Sequence, residues 1–299
     1  IVDEQHRFGV NQRISIVEKG KNVNLLVMTA TPIPRSLALT YYDNMSISNI
    51  KTKPKGRQKI ITSIISKKNL IPLISGLKRK VKNGSQVYWI CPSIETNQEV
   101  ANMISVEERY DFLQKYFDNS QLEIIHGKQK PIERDKKIEK FKKGSSKILI
   151  STTVIEVGID VPEADIIIIE NANRYGLAQL HQLRGRVGRG NKQSNCILLY
   201  EDNLSEIAEK RLKTLKHNND GFKIAEKDLL LRGPGEVLGT RQSGENNFRF
   251  FNITLHSDLI ETAKLEAENL YSNFEENQNK INKLIQIYQN KDVLISIGG

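Results

Sequence analysis

Apolar runs of strand length alternate along this chain with amphipathic segments of helix length. Such alternation favours a parallel β-sheet with helices on both faces, because each strand must be carried back to the same edge before the next one begins. The predicted fold class is therefore α/β. The strand-length runs are 24–28, 58–65, 86–91, 122–125, 147–151, 165–170 and 195–200, and the helical segments between them include 70–82, 97–117 and 132–142.

A proline and a glycine among basic residues at 53–57 interrupt this alternation, which is typical of a linker. Residues 58–215 hold enough strands for one complete α/β domain, whereas residues 1–52 hold too few and are predicted to end a preceding one. After residue 215 the pattern changes to a glycine-rich segment, 216–252, and then to a region, 253–299, with helices predicted near 257–273 and 276–290.

Charge and cysteine usage narrow the class of protein. The 299 residues carry a formal net charge of +10, which suits an acidic polymer such as nucleic acid, although a lysine-rich solvated surface explains it equally well. Cys91 and Cys196 lie far apart in apolar runs and are predicted to be reduced core residues. The longest purely aliphatic run, 166–169, is far too short to span a bilayer, so we expect no membrane partner.

The first segment with recognisable chemistry is Asp3-Glu4-Gln5-His6, which follows what should be the end of a buried strand. A carboxylate there can hold Mg²⁺ through water, as we predict for Asp3, and the next carboxylate, Glu4, can orient an attacking water. Without its context, an acidic pair after an apolar run is more often a plain loop.

Two hydroxyl-rich segments, 28–35 and 151–162, follow predicted strands. They place Thr29 and Thr31 after one strand and Thr152 after another. Hydroxyls and backbone N–H groups in such positions can contact phosphates. A simple strand-to-helix turn is the alternative for each segment.

The most specific pattern is QLHQLRGRVGRG at 179–190. On a helix, Gln182, Arg186 and Arg189 fall at i, i+4 and i+7 and therefore share a face. Two guanidiniums on one face suit a polyphosphate, since arginine stays charged and forks onto oxygens. Gly185 and Gly188 cost a helix roughly 1 kcal/mol each, which close packing of the backbone would explain.

A last segment, GFKIAEKDLLLRGPGEVLGTRQSG at 221–244, reads as a helix followed by a glycine-rich loop. The loop region carries Arg232 and Gln242, and its glycines allow backbone movement that a rigid element would lack. Position alone places these two residues beyond the arginine pattern, where they need not touch a nucleotide.

Together these segments resemble the motifs of superfamily 2 helicases of the RecG type. Residues 3–10 are similar to the DExH box, 28–35 to the Ser/Thr-Ala-Thr motif, 151–162 to motif V and 179–190 to motif VI. Residues 221–244 resemble the translocation segment that follows motif VI in RecG and in the transcription-repair coupling factor Mfd. The sequence RGPGE within this segment and His6 in the box favour RecG. The resemblance implies a RecA-like helicase lobe, with a partial first lobe before it and a helical C-terminal extension.

The resemblance also implies a function and roles for single residues. It implies an ATP-driven motor, using ATP and Mg²⁺, that moves along double-stranded DNA and remodels forks and Holliday junctions in recombination and repair. The catalytic residues would be Asp3, Glu4, Gln182, Arg186 and Arg189. The nucleotide would be bound by His6, Gly158, Asp160, Arg186 and Arg189. DNA contact or coupling would involve Thr29, Thr31, Thr152, Arg232 and Gln242.

Some parts of such a motor are not found in these 299 residues. No Gly-x-x-x-x-Gly-Lys-Ser/Thr phosphate loop occurs, so we expect a C-terminal fragment that begins at the Mg²⁺-binding box and is inactive alone. The full protein is expected to act as a monomer in the bacterial cytoplasm, associated with the nucleoid. Two alternatives remain open: an Mfd-type translocase, and a nucleic-acid-binding module without catalysis.

Overall fold

The computed structural model describes most of the chain and assigns it to two compact units. One unit is Ile1–Ile47 with Arg232–Gly299, and the other is Ser48–Leu231. The domain boundaries predicted from the sequence stay predictions. The described residues are 1–4, 15–16, 20, 23–29, 48–50, 52, 57–92, 105–127, 129–153, 161–190, 192–232, 256 and 258–288.

The second unit is built on a six-stranded sheet in which every strand pairing is parallel, as the alternation predicted. The strand order is β1-β6-β5-β2-β4-β3. The strands are β1 (Ile61–Ser66), β2 (Gln86–Ile90), β3 (Leu122–Ile125), β4 (Ile148–Ser151), β5 (Ala164–Ile169) and β6 (Asn195–Tyr200).

Helices cover both faces of this sheet. In chain order they are α1 (Leu70–Lys82), α2 (Val106–Gln114), α3 (Pro131–Lys142), α4 (Leu177–Arg184), α5 (Glu206–His217) and α6 (Gly221–Arg232), with short 3-10 turns at Lys67–Asn69, Asn119–Gln121 and Ala172–Arg174. Residues of α1 and α2 pack in one apolar cluster, and residues of α3, α4, α5 and α6 pack in the other.

The central strand β2 shows how the sheet separates the two clusters. Tyr88 and Ile90 face the α3–α5 side, while Val87 and Trp89 face the α1–α2 side, as the two-residue repeat of a strand requires. All four side chains are fully buried. Trp89 is therefore a core residue and not a surface on which bases could stack.

Several element bounds match the sequence-based ones, and the exceptions have local causes. Residues 70–82, 122–125 and 195–200 are confirmed as predicted. The helix predicted over 97–117 begins only at Val106, because Ser105 and Glu108 form a reciprocal capping box there. Residues 97–104 of that prediction lie outside the described residues.

A fully buried ion pair lies behind the carboxyl end of β5. Arg109 of α2 donates through Nε and Nη2 to the two carboxylate oxygens of Glu170, the residue after β5, at 2.5 and 2.9 Å. The Trp89 indole N–H donates to the same carboxylate, and the Arg109 guanidinium lies 5.0 Å from the ring centre of Phe112. Both charged side chains are only 1% exposed, so the pair compensates charge that water cannot reach.

Both cysteines are free and buried, as predicted. Burial raises the pKa of Cys196 to about 12 and raises the pKa of Cys91 well above its usual value. Neither thiol is suited to nucleophilic chemistry near neutral pH, because the thiolate is the reactive form.

In the first unit the structure describes a short parallel pairing and two helices. Val2 is buried and pairs in parallel with Val27. The helices are α7 (Leu259–Ser272) and α8 (Phe274–Tyr288), close to the predicted 257–273 and 276–290. Across the described ranges, none of the helices combines the length and the apolar character that a bilayer crossing requires.

The buried pair leads to a prediction about stability. Glu170→Gln leaves the Arg109 cation buried without its counter-charge, so the free energy of unfolding should fall by about 3–5 kcal/mol. Urea unfolding followed by far-UV circular dichroism measures this. The matched control is Glu139→Gln, which removes an exposed partner of Lys143 and should leave the urea midpoint unchanged. Equal stability of the two variants would contradict the assignment.

Candidate functional site

In the first unit, the structure brings Asp3, Glu4 and Thr29 to one edge. Val2 and Val27 pair in parallel, and backbone hydrogen bonds of 2.8 Å flank the pairing. Since parallel segments end at the same edge, the acidic pair that follows the first segment lies beside the threonine that follows the second. This is the placement that a contact between an acidic box and a hydroxyl motif requires.

The local geometry at the acidic pair suits a metal bound mainly by water and phosphate. Asp3 is exposed, and its Oδ1 accepts the backbone N–H of Glu4 at 2.9 Å. Glu4 has a left-handed φ of 51°, which is uncommon for a residue with a side chain. The described residues contain no group of three or more His, Cys, Asp or Glu side chains placed to hold a metal. Mg²⁺ commonly needs only one or two carboxylates beside phosphates and water, so Asp3 fits that role.

In the second unit, Thr152 follows β4 at the carboxyl edge of the sheet. The preceding Ser151 is buried, and its hydroxyl donates to the backbone oxygen of Thr152 at 2.9 Å. Thr152 itself is 9% exposed. The segment that leaves this strand thus begins in a fixed conformation at the edge where parallel α/β sheets bind ligands.

The arginine pattern does not form one continuous helix, so the prediction of a shared helix face is wrong. Helix α4 ends at Arg184, and Gly185 caps it. Gln182 lies within the helix, but Arg186 and Arg189 lie in the turn beyond it. The turn then reverses direction at Gly188, whose φ of 78° is left-handed and incompatible with a helix.

Two glycines of this turn are needed because the backbone passes very close to its neighbours. A Cβ atom at Gly188 would lie 2.9 Å from Cγ1 of Ile60, and one at Gly190 would lie 2.6 Å from the backbone oxygen of Pro162. Close packing was the expected reason for glycine at Gly185 and Gly188, and the contact with Ile60 confirms it for Gly188. Gly190 was not part of that expectation. Pro162 ends the segment 151–162, so the exit of that segment and the arginine turn are in contact.

The arginine turn lies at the amino edge of the sheet, opposite to Thr152. Ile60 and Pro162 precede β1 and β5, and the turn itself precedes β6. Arg189 is exposed, and its Nε donates to the backbone oxygen of Gly185 at 3.2 Å. Arg186 and Gln182 are half-buried. A helix of eight residues, α4, therefore separates the proposed DNA contact from the proposed phosphate contact.

Arg184 has a structural role that the sequence reasoning missed. It is 2% exposed, and its Nη1 donates to the backbone oxygens of Leu215 and Asn218 at 2.7 and 2.8 Å. Burial lowers the pKa of this guanidinium. The cation caps the negative end of α5 and so joins α4 to α5. The spacing from Leu177, seven residues earlier on the apolar face of α4, is the signal that could have revealed it.

Arg232 is the last residue of α6. Five further predicted site residues cannot be placed. The following lie outside the described residues: His6, Thr31, Gly158, Asp160 and Gln242.

A six-stranded parallel sheet with helices on both faces is the architecture of a RecA-like helicase lobe. The family profile described as "Helicase conserved C-terminal domain" matches residues 65–191. A second profile, "ATP-dependent DNA helicase RecG, domain 3, C-terminal", matches residues 218–294.

Individual relatives agree with these profiles. The chain is 44% identical to the ATP-dependent DNA helicase RecG of Synechocystis over 97% of this chain and 35% of the relative. It is 43% identical to that of Escherichia coli K12 over 92% of this chain and 40% of the relative. A solved structure of RecG bound to a three-way DNA junction is 40% identical, with a TM-score of 0.65, over 87% of this chain and 33% of that one. Yeast Dbp5, at 16% identity and a TM-score of 0.52 over 77% of this chain and 61% of that one, shares the fold alone.

The chain belongs to the RecG family of DNA helicases. It spans about 35–40% of the length of the curated relatives that it matches.

The tight turn leads to a second prediction about stability. Gly188→Ala forces a side chain into a left-handed position and against Ile60, so the free energy of unfolding should fall by about 1–3 kcal/mol. Gly76→Ala is the matched control, because Gly76 lies within α1 and an added Cβ there meets nothing within 4 Å. That variant should be more stable by up to about 1 kcal/mol. Thermal unfolding decides the question: an unchanged Tm for Gly188→Ala would show that the turn is not constrained.

Proposed function

We propose that this chain is a fragment, without the phosphate loop, of an ATP-dependent double-stranded DNA translocase that remodels branched DNA by fork reversal and branch migration. The observation that carries the proposal is the arginine turn, in which the exposed Arg189 follows a left-handed glycine packed against Ile60. Support also comes from the RecG relatives and from the RecG structure bound to a three-way junction. We further propose that the full protein acts as a monomer at the nucleoid in the bacterial cytoplasm.

The proposed roles follow from where the side chains lie. When bound, ATP would supply the phosphoanhydride bond that is hydrolysed, and Mg²⁺ would neutralise part of the charge on the phosphates. Asp3 would hold the metal through water, and Glu4 would orient the attacking water beside it. Arg189, with Arg186, would stabilise negative charge that develops on the transferred group. Gln182 would position this arginine pair.

DNA contact and coupling would fall to the opposite edge and to the segment after the turn. Thr152 would contact the DNA backbone, and Thr29 would link the acidic box to DNA in the first unit. Arg232 would couple hydrolysis to movement, because it ends α6, beyond the arginine turn, where it need not touch the nucleotide. The remaining roles, not described by the structure, go to His6, Gly158 and Asp160 at the nucleotide and to Thr31 and Gln242 at DNA.

The two alternatives have less support. An Mfd-type translocase is disfavoured, because the segment after the arginine turn matches a profile specific to RecG. A binding module without catalysis would have no need of an exposed arginine on a constrained turn, since flexible lysines suffice to bind phosphates.

The proposal is tested by ATP hydrolysis in the full-length protein. Wild type should release phosphate faster when a synthetic Holliday junction is added, and should unwind that junction. Arg189→Ala should slow hydrolysis by roughly a thousandfold or more, with nucleotide binding less affected, because an arginine finger stabilises mainly the transition state.

Arg189→Lys is the matched variant, since it keeps the charge but loses the planar fork. It should remain slow. A wild-type protein without DNA-stimulated hydrolysis would overturn the proposed function, and near-normal hydrolysis by Arg189→Ala would remove this arginine from it.

Arg232 gives a separate prediction about coupling. If this residue couples hydrolysis to movement, Arg232→Ala should keep most of the DNA-stimulated hydrolysis yet fail to unwind a Holliday junction. If it only caps α6 or pairs with Glu236, both rates and the thermal stability should fall together. Both rates measured on one preparation separate these outcomes, and a loss of hydrolysis and unwinding in equal proportion would contradict the coupling role.

A further inference from the structure

Arg57, the last residue of the predicted linker, and residues 58–61 run alongside residues 188–190 and 192–194 at the amino edge of the sheet. The Ile61 N–H donates to the backbone oxygen of Ser194 at 2.9 Å, one step before β1 and β6 pair. The side-chain amide of Gln193 donates through Nε2 to the backbone oxygen of Lys59. The segment that enters the second unit is therefore joined to the segment that follows the arginine turn.

Arg57 extends this pairing to the turn itself. Its Nε donates to the backbone oxygen of Gly188 at 2.8 Å, across 131 positions of sequence. Ile60, three residues later, fills the space beside Gly188 where a Cβ would otherwise lie. A hydrogen bond and a close packing contact thus hold the same glycine from the same side.

The oxygen that Arg57 binds belongs to the peptide bond between Gly188 and Arg189. A peptide group is planar, so fixing its oxygen also fixes the direction of the Arg189 N–H and the start of that residue. The Arg189 Nε then donates to the backbone oxygen of Gly185, which orients the side chain along the turn. Arg57 therefore acts on the backbone from which the exposed guanidinium projects.

We propose that Arg57 is a positioning residue for Arg189: it locks the Gly188–Arg189 peptide, so that the entry segment and the arginine turn move as one body. The proposal rests on the proposed function, in which Arg189 stabilises the transition state. The entry segment follows Ser48, where the chain passes from the first compact unit into the second. A change in the path of the linker would then be transmitted to Arg189 without a local rearrangement of the turn.

Stability alone is a weak explanation for this contact. Arg57 is exposed at the residue level, and its partner is a neutral carbonyl rather than a carboxylate, so its net contribution to folding is small. Positioning, by contrast, is sensitive to small displacements, because a shift of about 1 Å at a reacting group can cost up to about a hundredfold in rate.

The kinetic test compares three variants of the full-length protein with the wild type. Arg57→Ala should lower kcat for DNA-stimulated ATP hydrolysis by about tenfold, with KM for ATP changed by less than about twofold. Arg57→Lys should recover much of the loss, because its ammonium can donate to the same oxygen. Arg79→Ala, which removes an exposed arginine from the last turn of α1, is the control and should match wild type.

A double mutant tests whether Arg57 acts through Arg189. If it does, Arg57→Ala combined with Arg189→Ala should be no slower than Arg189→Ala alone, since the positioned group is already gone. Multiplicative losses in the double mutant would overturn the proposal, as would wild-type kcat in Arg57→Ala. Neither of these results affects the proposed function as long as the wild-type protein shows DNA-stimulated hydrolysis. If the wild-type protein lacks that activity, the proposed function itself is wrong.

Hydrogen–deuterium exchange without nucleotide gives a readout independent of activity. Peptides that cover 185–194 should exchange faster in Arg57→Ala and return towards wild type in Arg57→Lys. A peptide that covers 195–200, within β6, should not change. Unchanged exchange across 185–194 in Arg57→Ala would show that this arginine does not hold the turn.

Discussion

Every functional segment of the second unit is placed by one constraint: all six strands run in the same direction. Each chain segment therefore enters the sheet at one edge and leaves at the other, and each crossover helix must span the distance between them. Thr152 lies where β4 leaves, and the arginine turn lies where β6 enters. The two edges can take different tasks because the strands that run between them hold them apart.

Three arginines that differ in burial show how one residue type meets different needs around this sheet. Arg109 is neutralised by Glu170 in a bidentate pair, whereas Arg184 is satisfied by the carbonyls at the end of α5. Arg57 binds a single carbonyl and stays exposed. The guanidinium suits all three sites because it stays charged and offers several donors in a fixed plane. These contacts stabilise the helices and segments around the arginine turn, and none of them uses the side chain of Arg189.

The sequence predicted the sheet and its order of elements better than it predicted the site. Strand and helix bounds follow from local periodicity, so segments such as α1, β3 and β6 could be read directly. The arginine helix was extended too far because residue spacing cannot show a left-handed φ at Gly188. The pairs Arg57–Gly188 and Arg109–Glu170 join positions 131 and 61 residues apart, and no local pattern relates them. The burial of Arg184 could have been predicted, because this residue continues the leucine face of α4. Its position in an arginine-rich motif suggested a role in binding instead.

The contrast between Arg184 and Arg189 explains why so dense a cluster of arginines can serve more than one purpose. Five residues apart, one guanidinium is buried against backbone oxygens and the other is exposed. Gly188, with its left-handed φ, lies between the two arginines. An arginine that stabilises a transition state benefits from a long, exposed side chain on an ordered backbone, because ordering a mobile loop would consume part of the interaction energy at each cycle. Glycine gives the turn its direction, and the packing of Ile60 and Pro162 removes the flexibility that glycine would otherwise bring. The same glycines that weaken a helix therefore stiffen this turn, since their small size lets neighbouring chain segments close around it.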